Sequence, residues 1–506
     1  MKIALERREA TAGGFDASIS GVFERAENEA GLPRLLQRED QLTSGALKHA
    51  WEGREIRGRA RELTVLFRPD GKGRVVLVGL GRRPLTPDAV RDAAAYAVQK
   101  LKGRGVRTVG FRLATFVAER VSSDEALRSL ASGAALGGYE FLRYKTSAER
   151  AVEEVSISIG EEHVREEGAL SKALHQELIL SESALFTRDL ANTPPNVATP
   201  EWLAEEARHL GKELGLRVTV FDEHKLEEMH CGGLLAVGSG SIHPPRMVVV
   251  EYPGGVRSGK TVAVVGKGIT FDSGGISLKP SAGMWEMKWD KAGACAVLGI
   301  LRAASLLKVP PRVIGVMACA ENLPGGSAYR PSDIVRAFNG KSIEVLDTDA
   351  EGRVALSDGL SYAVAKYHPD EIIDLATLTG AAVTALGENV APFISTSDAL
   401  SRSLESAAQV VGEPIWRLPL PEAQRDMVKS DLADVKNIVE PRTAGVIIGA
   451  AFLEHFVGEV PWAHLDIAGP AWARKATLKW VPAYHPLGAT GFGVRLVSRY
   501  LIDTAR

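Results

Sequence analysis

TVAVVGKGITFDSGGISLKPSAGMWEMKWDKAGACAVLGILRAASLLKVPPRVIGVMAC, residues 261–319, opens on an apolar run, crosses a glycine-rich loop and ends on another apolar run. TVAVVG (261–266) and RVIGVMAC (312–319) have the composition of strands, and KAGACAVLGILRAASLLK (291–308) between them reads as a helix. Strands that are apolar throughout must be buried on both faces. Alternating with helices, they imply a mostly parallel sheet covered on both sides. The pattern extends outward through RVTVF (217–221), MVVVEY (247–252), IEVL (343–346) and EIIDLA (371–376). RVALSDGLSYAVAKY (353–367) is a second helix, with Leu356, Leu360, Ala363, Val364 and Tyr367 forming one buried stripe.

Towards the N-terminus the alternation recurs in LTVLF (63–67), VVLVGL (75–80), PDAVRDAAAYAVQKL (87–101) and VSISIG (155–160). Residues 164–192 have helical periodicity and stop at Asn192-Thr193-Pro194-Pro195-Asn196, which no helix crosses. The expected class is therefore α/β with two domains. A smaller N-terminal α/β domain spans 1–170. A larger C-terminal domain, 171–506, has a mostly parallel central sheet covered by helices, and the helix at about 164–192 bridges the two.

A chain of 506 residues with 45% hydrophobic and 25% charged content can bury a core without disulfides. Its formal net charge of −2 sets up no overall basic field for nucleic acid or membrane. Cys231, Cys295 and Cys319 lie in apolar stretches and read as buried free thiols of a reducing compartment. Glu6, Arg7, Arg8 and Glu9 stand where a signal peptide needs apolar residues, and no apolar run approaches the roughly 18 residues of a membrane span. A cytoplasmic protein is the expectation. VVLVGLGRRP (75–84) puts Gly79 and Gly81 in the context of a dinucleotide fingerprint, but Pro84 occupies the third glycine position. Tight packing at a strand-to-helix turn explains the pair.

Two segments carry the chemistry. Residues 265–294 deliver Lys267, Asp272, Lys279 and Asp290 on glycine-rich loops, and LDTDAEGRVALSDG (346–359) delivers Asp347, Asp349, Glu351 and Arg353. Both begin at the carboxyl end of a strand, where sites of open α/β sheets gather. Singly, Asp290 could cap a helix and Asp349 or Glu351 could serve a helix dipole. Those readings do not explain four carboxylates converging in apolar surroundings. Unpartnered, they would repel and take up protons, whereas two divalent cations cancel them. Oxygen ligands suit magnesium, manganese or zinc. Lys267 could ligate only as a neutral amine.

These same residues resemble the leucyl (cytosol) aminopeptidase family, peptidase family M17. The likeness runs through VGKGITFDSGG, WDKAGA and DTDAEGR, and extends over RDLANTPPN (188–196), ENLPGGSAYRPSDIV (321–335), DLATLTGA (374–381), AHLDIAGPAW (463–472) and GATGFGVRL (488–496). The resemblance implies an enzyme that removes N-terminal residues, leucine and other apolar ones first, from peptides with a free N-terminus. It implies two metal ions per subunit, manganese or zinc, bridged by Asp272 and Glu351, with Lys267 and Asp290 completing one site and Asp349 the other. Lys279 and Arg353 match the family's catalytic residues, Lys279 for the oxyanion and Arg353 for a bicarbonate base. Met287, Thr377, Leu378, Gly380 and Ala468 match its apolar pocket. A homohexamer is also implied, and the charge balance already argues against a membrane or nucleic acid as its main partner.

Two departures stand out. The family usually has asparagine where this chain has Asp347, and Lys291, next to Asp290, is a cation placed to offset it. A two-metal phosphatase or nuclease would use similar carboxylates but would want histidines, and the 11 histidines avoid both segments. A non-catalytic scaffold would have lost Lys279, Arg353 or a ligand, and none is lost. An additional nucleic-acid-binding role is left open by the N-terminal domain.

Overall fold

The computed structural model describes residues 1–7, 14–26, 31–147, 151–255 and 259–504. Arg8 and Glu9 lie outside the described residues. The chain forms two compact units, Met1–Glu182 with Lys475–Pro486, and Ser183–Arg474 with Leu487–Arg506. It passes from one to the other within the helix Glu167–Asn192. No helix among the described residues is long and apolar enough to cross a membrane.

The first unit is built on β1 (Lys2–Glu6), β2 (Ala17–Phe23), β3 (Leu63–Phe67), β4 (Arg74–Gly81), β5 (Thr108–Arg112) and β6 (Glu154–Ser158), ordered β1-β6-β5-β2-β4-β3. Only β3 runs antiparallel to its neighbour. Val76, Val78, Val109, Phe111, Val155 and Ile157 on the strands pack with the helices Pro87–Leu101 and Ser123–Gly137 around one core. A β-carbon added at Gly79 would sit 1.8 Å from the Arg59 carbonyl oxygen. The glycine at this turn is thus required by close backbone packing.

The second unit holds β7 (Arg217–Phe221), β8 (Arg246–Tyr252), β9 (Thr261–Asp272), β10 (Arg312–Asn322), β11 (Ile334–Arg336), β12 (Ser342–Glu344), β13 (Glu371–Ala376), β14 (Ala391–Ser395), β15 (Ile415–Arg417), β16 (Val435–Lys436) and β17 (Trp462–Asp466). Eight form the central sheet, ordered β15-β14-β17-β13-β9-β10-β8-β7. β9 lies parallel between β13 and β10, and the antiparallel pairs are β8–β10, β7–β8 and β14–β17. The strand expected at IEVL joins β11 and β16 in a separate small sheet, so it delivers the following acidic segment from outside the main one.

The helix Glu351–Tyr367 departs from the expected single stripe, because every residue from Glu351 to Ala363 is buried. It is covered by β9 and β10 and also by the helices Gly232–Gly238 and Gly445–Glu454. Its polar residues are therefore enclosed with it: Asp358 accepts the Leu234 and Phe338 N–H groups at 2.7 Å each. Cys231, Cys295 and Cys319 are buried free thiols.

The helix Ala292–Leu307 starts hard against the sheet. A β-carbon at Gly293 would come within 2.1 Å of the Leu375 carbonyl oxygen on β13 and 2.9 Å of the Lys267 nitrogen on β9. Both neighbours are backbone in central strands and have nowhere to go. Gly293→Ala is expected to cost at least the roughly 1–3 kcal/mol of an overpacked core, read as a lower melting temperature. An unchanged melting temperature would mean that this helix start has room to shift.

Candidate active site

β9 carries Lys267 and ends at Asp272, and the two acidic segments meet it there. The Lys267 ammonium lies 2.9 Å from Asp290 Oδ2 and 2.8 Å from Glu351 Oε1, and donates to the Thr377 carbonyl at 2.9 Å. Lys279 bridges the other end, 2.8 Å from Asp272 Oδ2 and paired with Asp349 Oδ1. Carboxylate oxygens of Asp272, Asp290 and Glu351 all fall within 4.8 Å of one another. Asp290 does not cap the following helix. That position is Lys291, which makes no side-chain cap. Asp290 Oδ1 instead accepts the Thr377 hydroxyl at 2.6 Å.

Several residues that hold the site carried no role in the sequence reading. Asn322, at the end of β10, donates from Nδ2 to Asp272 Oδ1 at 2.9 Å and to the Thr348 carbonyl at 3.0 Å, tying the two loops together. The Thr348 hydroxyl donates to the Gly274 carbonyl at 2.7 Å and accepts the Ser277 N–H at 2.8 Å. Asp466, at the end of β17, accepts the N–H groups of Leu378 at 3.1 Å and Ala468 at 3.2 Å, and the Thr379 hydroxyl at 2.6 Å. A carboxylate inside the apolar AHLDIAG run was the one available signal for Asp466. Asn322 and Thr348 gave none, because short polar residues at strand ends are common.

Arg353 is buried and donates from Nη1 to the Asn437 carbonyl at 2.8 Å, while its Nε has no hydrogen-bond partner among the described residues. With Leu378, Gly380, Asp347 and Asp349 it lines a cavity of about 340 Å³. Its other wall is the segment from Ile438 to Gly445. Met287, Thr377 and Ala468 are not among the lining residues. Met287 lies in the short turn Met284–Trp289, and Ala468 follows β17.

The electrostatics follow from burying like charges. Burial, with Asp272 nearby, raises the pKa of Asp349 to about 6, and burial pushes up Glu351 and Asp290 as well. Burial works against the Lys267 charge, but Asp290, Glu351 and Asp272 outweigh it and hold the ammonium above its usual pKa. Burial lowers Arg353 to about 10, against the pull of Glu351 and Asp466.

Asp347 is not offset by Lys291. The Lys291 ammonium is fully buried and donates to the Thr193 carbonyl at 3.0 Å and to the Lys288 carbonyl. Asp347 pairs through Oδ2 with Arg442 Nη2 at 2.5 Å, and its Oδ1 accepts the Asp349 N–H at 2.9 Å. Arg442 is far along the chain from both motifs, so spacing gave no hint of it.

Four carboxylates against the two lysine ammoniums leave a surplus of two negative charges. Glu351 Oε2 is buried with no hydrogen-bond partner among the described residues. An all-oxygen cluster with a negative surplus and an orphaned oxygen fits hard divalent cations. A buried carboxylate cluster at the strand ends of a mostly parallel sheet is the arrangement of a metal-dependent hydrolase.

Comparison with known proteins narrows that class. Residues 185–498 match the model of the cytosol aminopeptidase family catalytic domain, and residues 19–148 match that of its N-terminal domain. A probable cytosol aminopeptidase of Geobacter sulfurreducens is 42% identical over 511 residues, covering 100% of both chains. One of Roseiflexus castenholzii is 43% identical over 454 residues, 88% of this chain and 91% of that one. The solved structure of the bottromycin maturation enzyme BotP in complex with Mn superposes with a TM-score of 0.83 at 35% identity, covering 97% of this chain and 100% of that one. The chain belongs to the cytosol aminopeptidase family and is a metal-dependent aminopeptidase.

Because Arg442 already neutralises it, Asp347 should contribute little to metal retention. Asp347→Asn is expected to hold metal within about threefold of wild type, since an exposed counter-ion leaves under about 1 kcal/mol to lose. A chelator titration at matched pH measures it, and a much larger loss would place the Asp347 charge on the metal cluster.

Proposed function

We propose that the protein is a two-metal leucyl aminopeptidase, and the convergence of Asp272, Asp290 and Glu351 oxygens on Lys267 is the observation that carries the reading. Asp272 and Glu351 would bridge the ions, Lys267 and Asp290 would complete one site, and Asp349 the other. Manganese or zinc is the expected metal, and BotP, the relative whose structure includes Mn, supports the first. When bound, two such ions supply a water of lowered pKa and polarise the carbonyl to be attacked.

The chain's own residues supply the rest. Lys279, held above its usual pKa by Asp272 despite burial, stays a cation at neutral pH and can stabilise the developing oxyanion. The same ammonium contacts Asp272 and Asp349, so it stands beside the residues that would hold the ions. Arg353 has an unused buried Nε beside an Nη1 fixed on Asn437, so its fork can grip a planar anion on two donors. Bicarbonate held there would supply a base near the reacting water. Asp466 fixes the Leu378–Thr379 turn, and thereby the Leu378 and Gly380 part of an apolar wall for leucine-like side chains. Met287, Thr377 and Ala468, outside the lining of that cavity, would extend the apolar wall beyond it. A cytoplasmic homohexamer completes this reading. The relatives' designation as cytosol aminopeptidases supports the location, and the hexamer rests on the family resemblance.

Leucine p-nitroanilide turnover should vanish on dialysis against chelator and return with manganese or zinc. Activity that survives complete metal removal would sink the reading. Substrates need a free amine to sit among these carboxylates, so leucine amides should be cleaved and N-acetyl-leucine amides left intact. Comparable cleavage of both would identify a general amidase.

Alanine at Lys279 is expected to cut kcat by roughly 10²-fold or more, as for a lost oxyanion donor, with bound metal unchanged by elemental analysis. Alanine at Asp272 or Glu351 should lose both activity and metal. Metal loss in the Lys279 variant would reassign that lysine as a structural support of the cluster.

A further inference from the structure

Arg442 stands apart from the rest of the cavity lining. Its side chain is 66% exposed, yet its guanidinium is anchored at its base, with Nη2 on the buried carboxylate of Asp347 at 2.5 Å. The second contact is weaker: Glu440, itself 66% exposed, lies 3.5 Å from Nε. Asp347 makes no other ion pair among the described residues, so it holds Arg442 in place at the rim of the cavity that Arg353 and Asp349 line from within.

The opposite wall, Leu378 to Ala381, is neutral, and the segment beside Arg442 contributes Ile438, Val439 and Ile448. Arg442 and the buried Arg353 are the only cations lining this cavity among the described residues. Among the described residues the outer Nη1 of Arg442 has no acceptor, and the solvent-screened Glu440 contact is readily exchanged.

We propose that Arg442 is a specificity-determining residue that binds a carboxylate carried by the peptide just beyond the cleaved bond. The inference rests on the aminopeptidase reading. With the substrate's free amine among the metal-binding carboxylates, the chain runs outward past Arg353, and the part leaving the site reaches the rim where Arg442 waits. A carboxylate there completes a fork whose geometry Asp347 has already set, whereas a lysine side chain meets a fixed like charge. Two sources present the same group: the side chain of an acidic second residue, and the C-terminal carboxylate of a dipeptide.

The test compares kcat/KM within two matched pairs, Leu-Gly against Leu-Gly amide and Leu-Glu amide against Leu-Gln amide. In the wild-type protein the carboxylate member of at least one pair is expected to be favoured about fivefold, the scale of one exposed charge pair. The preference should shrink as salt is added. The pair that shows it identifies the source. Arg442→Met should bring the ratio to about one, and Arg442→Lys should retain part of it. Since Arg442→Met leaves Asp347 buried without its partner, the double variant Asp347→Asn/Arg442→Met repeats the measurement with the pair removed in balance. Equal rates within both pairs in wild type, or a preference that survives the loss of Arg442, overturn the inference and leave the aminopeptidase reading standing. Failure of the wild-type protein to cleave any of the four overturns that reading and the inference with it.

Discussion

Gathering four carboxylates at one end of a sheet, three of them buried and Asp349 partly so, is the condition that the rest of the second unit is arranged to meet. Each loses water and faces like charge, so the fold can keep them ionised only beside cations. Lys267 and Lys279 neutralise half of that charge from the two ends of the cluster. The remainder is what gives the site its appetite for metal. The same imbalance raises the pKa of Asp349, Glu351 and Asp290, so the cluster prefers either protons or cations to standing empty-handed.

Holding such a cluster demands a rigid surround, and the surround is made of short polar side chains bonded to backbone. Asn322 joins the Asp272 loop to the Thr348 loop, Thr377 orients Asp290, and Asp466 gathers the amides of the pocket wall. These groups sit on β10, after β13 and at the end of β17, the strands flanking β9 or next to them. A site at the carboxyl ends of adjacent parallel strands draws its supports from those neighbours, since parallel strands end on the same side.

Arg442 and Asp347 extend the same logic to the rim. A carboxylate so close to the cluster would add to an already unfavourable charge, and the segment after Ile438 answers it with a guanidinium. The outcome is a cation fixed at the mouth of a mostly neutral cavity that also holds Asp347, Asp349 and one buried arginine.

Much of this was legible in the residues themselves. Apolar runs alternating with helices announced the layered sheet, and carboxylates clustered beside glycine-rich loops announced a cation site, because both depend on local composition and strand-to-loop order. Tertiary structure alone decided which strand pairs with which, and it sent Ser342–Glu344 to a separate small sheet. It also buried the helix Glu351–Tyr367 on all sides through Ala363, where periodicity implied one stripe, because helices from distant segments close over its outer face. The partner of Asp347 is Arg442, 95 residues away, while Lys291, the candidate next to Asp290, is spent on backbone carbonyls. Charge type and local pattern are properties of the chain. Which opposite charge arrives within 3 Å is a property of packing, because ion pairs between distant segments form only once the backbone has brought them together.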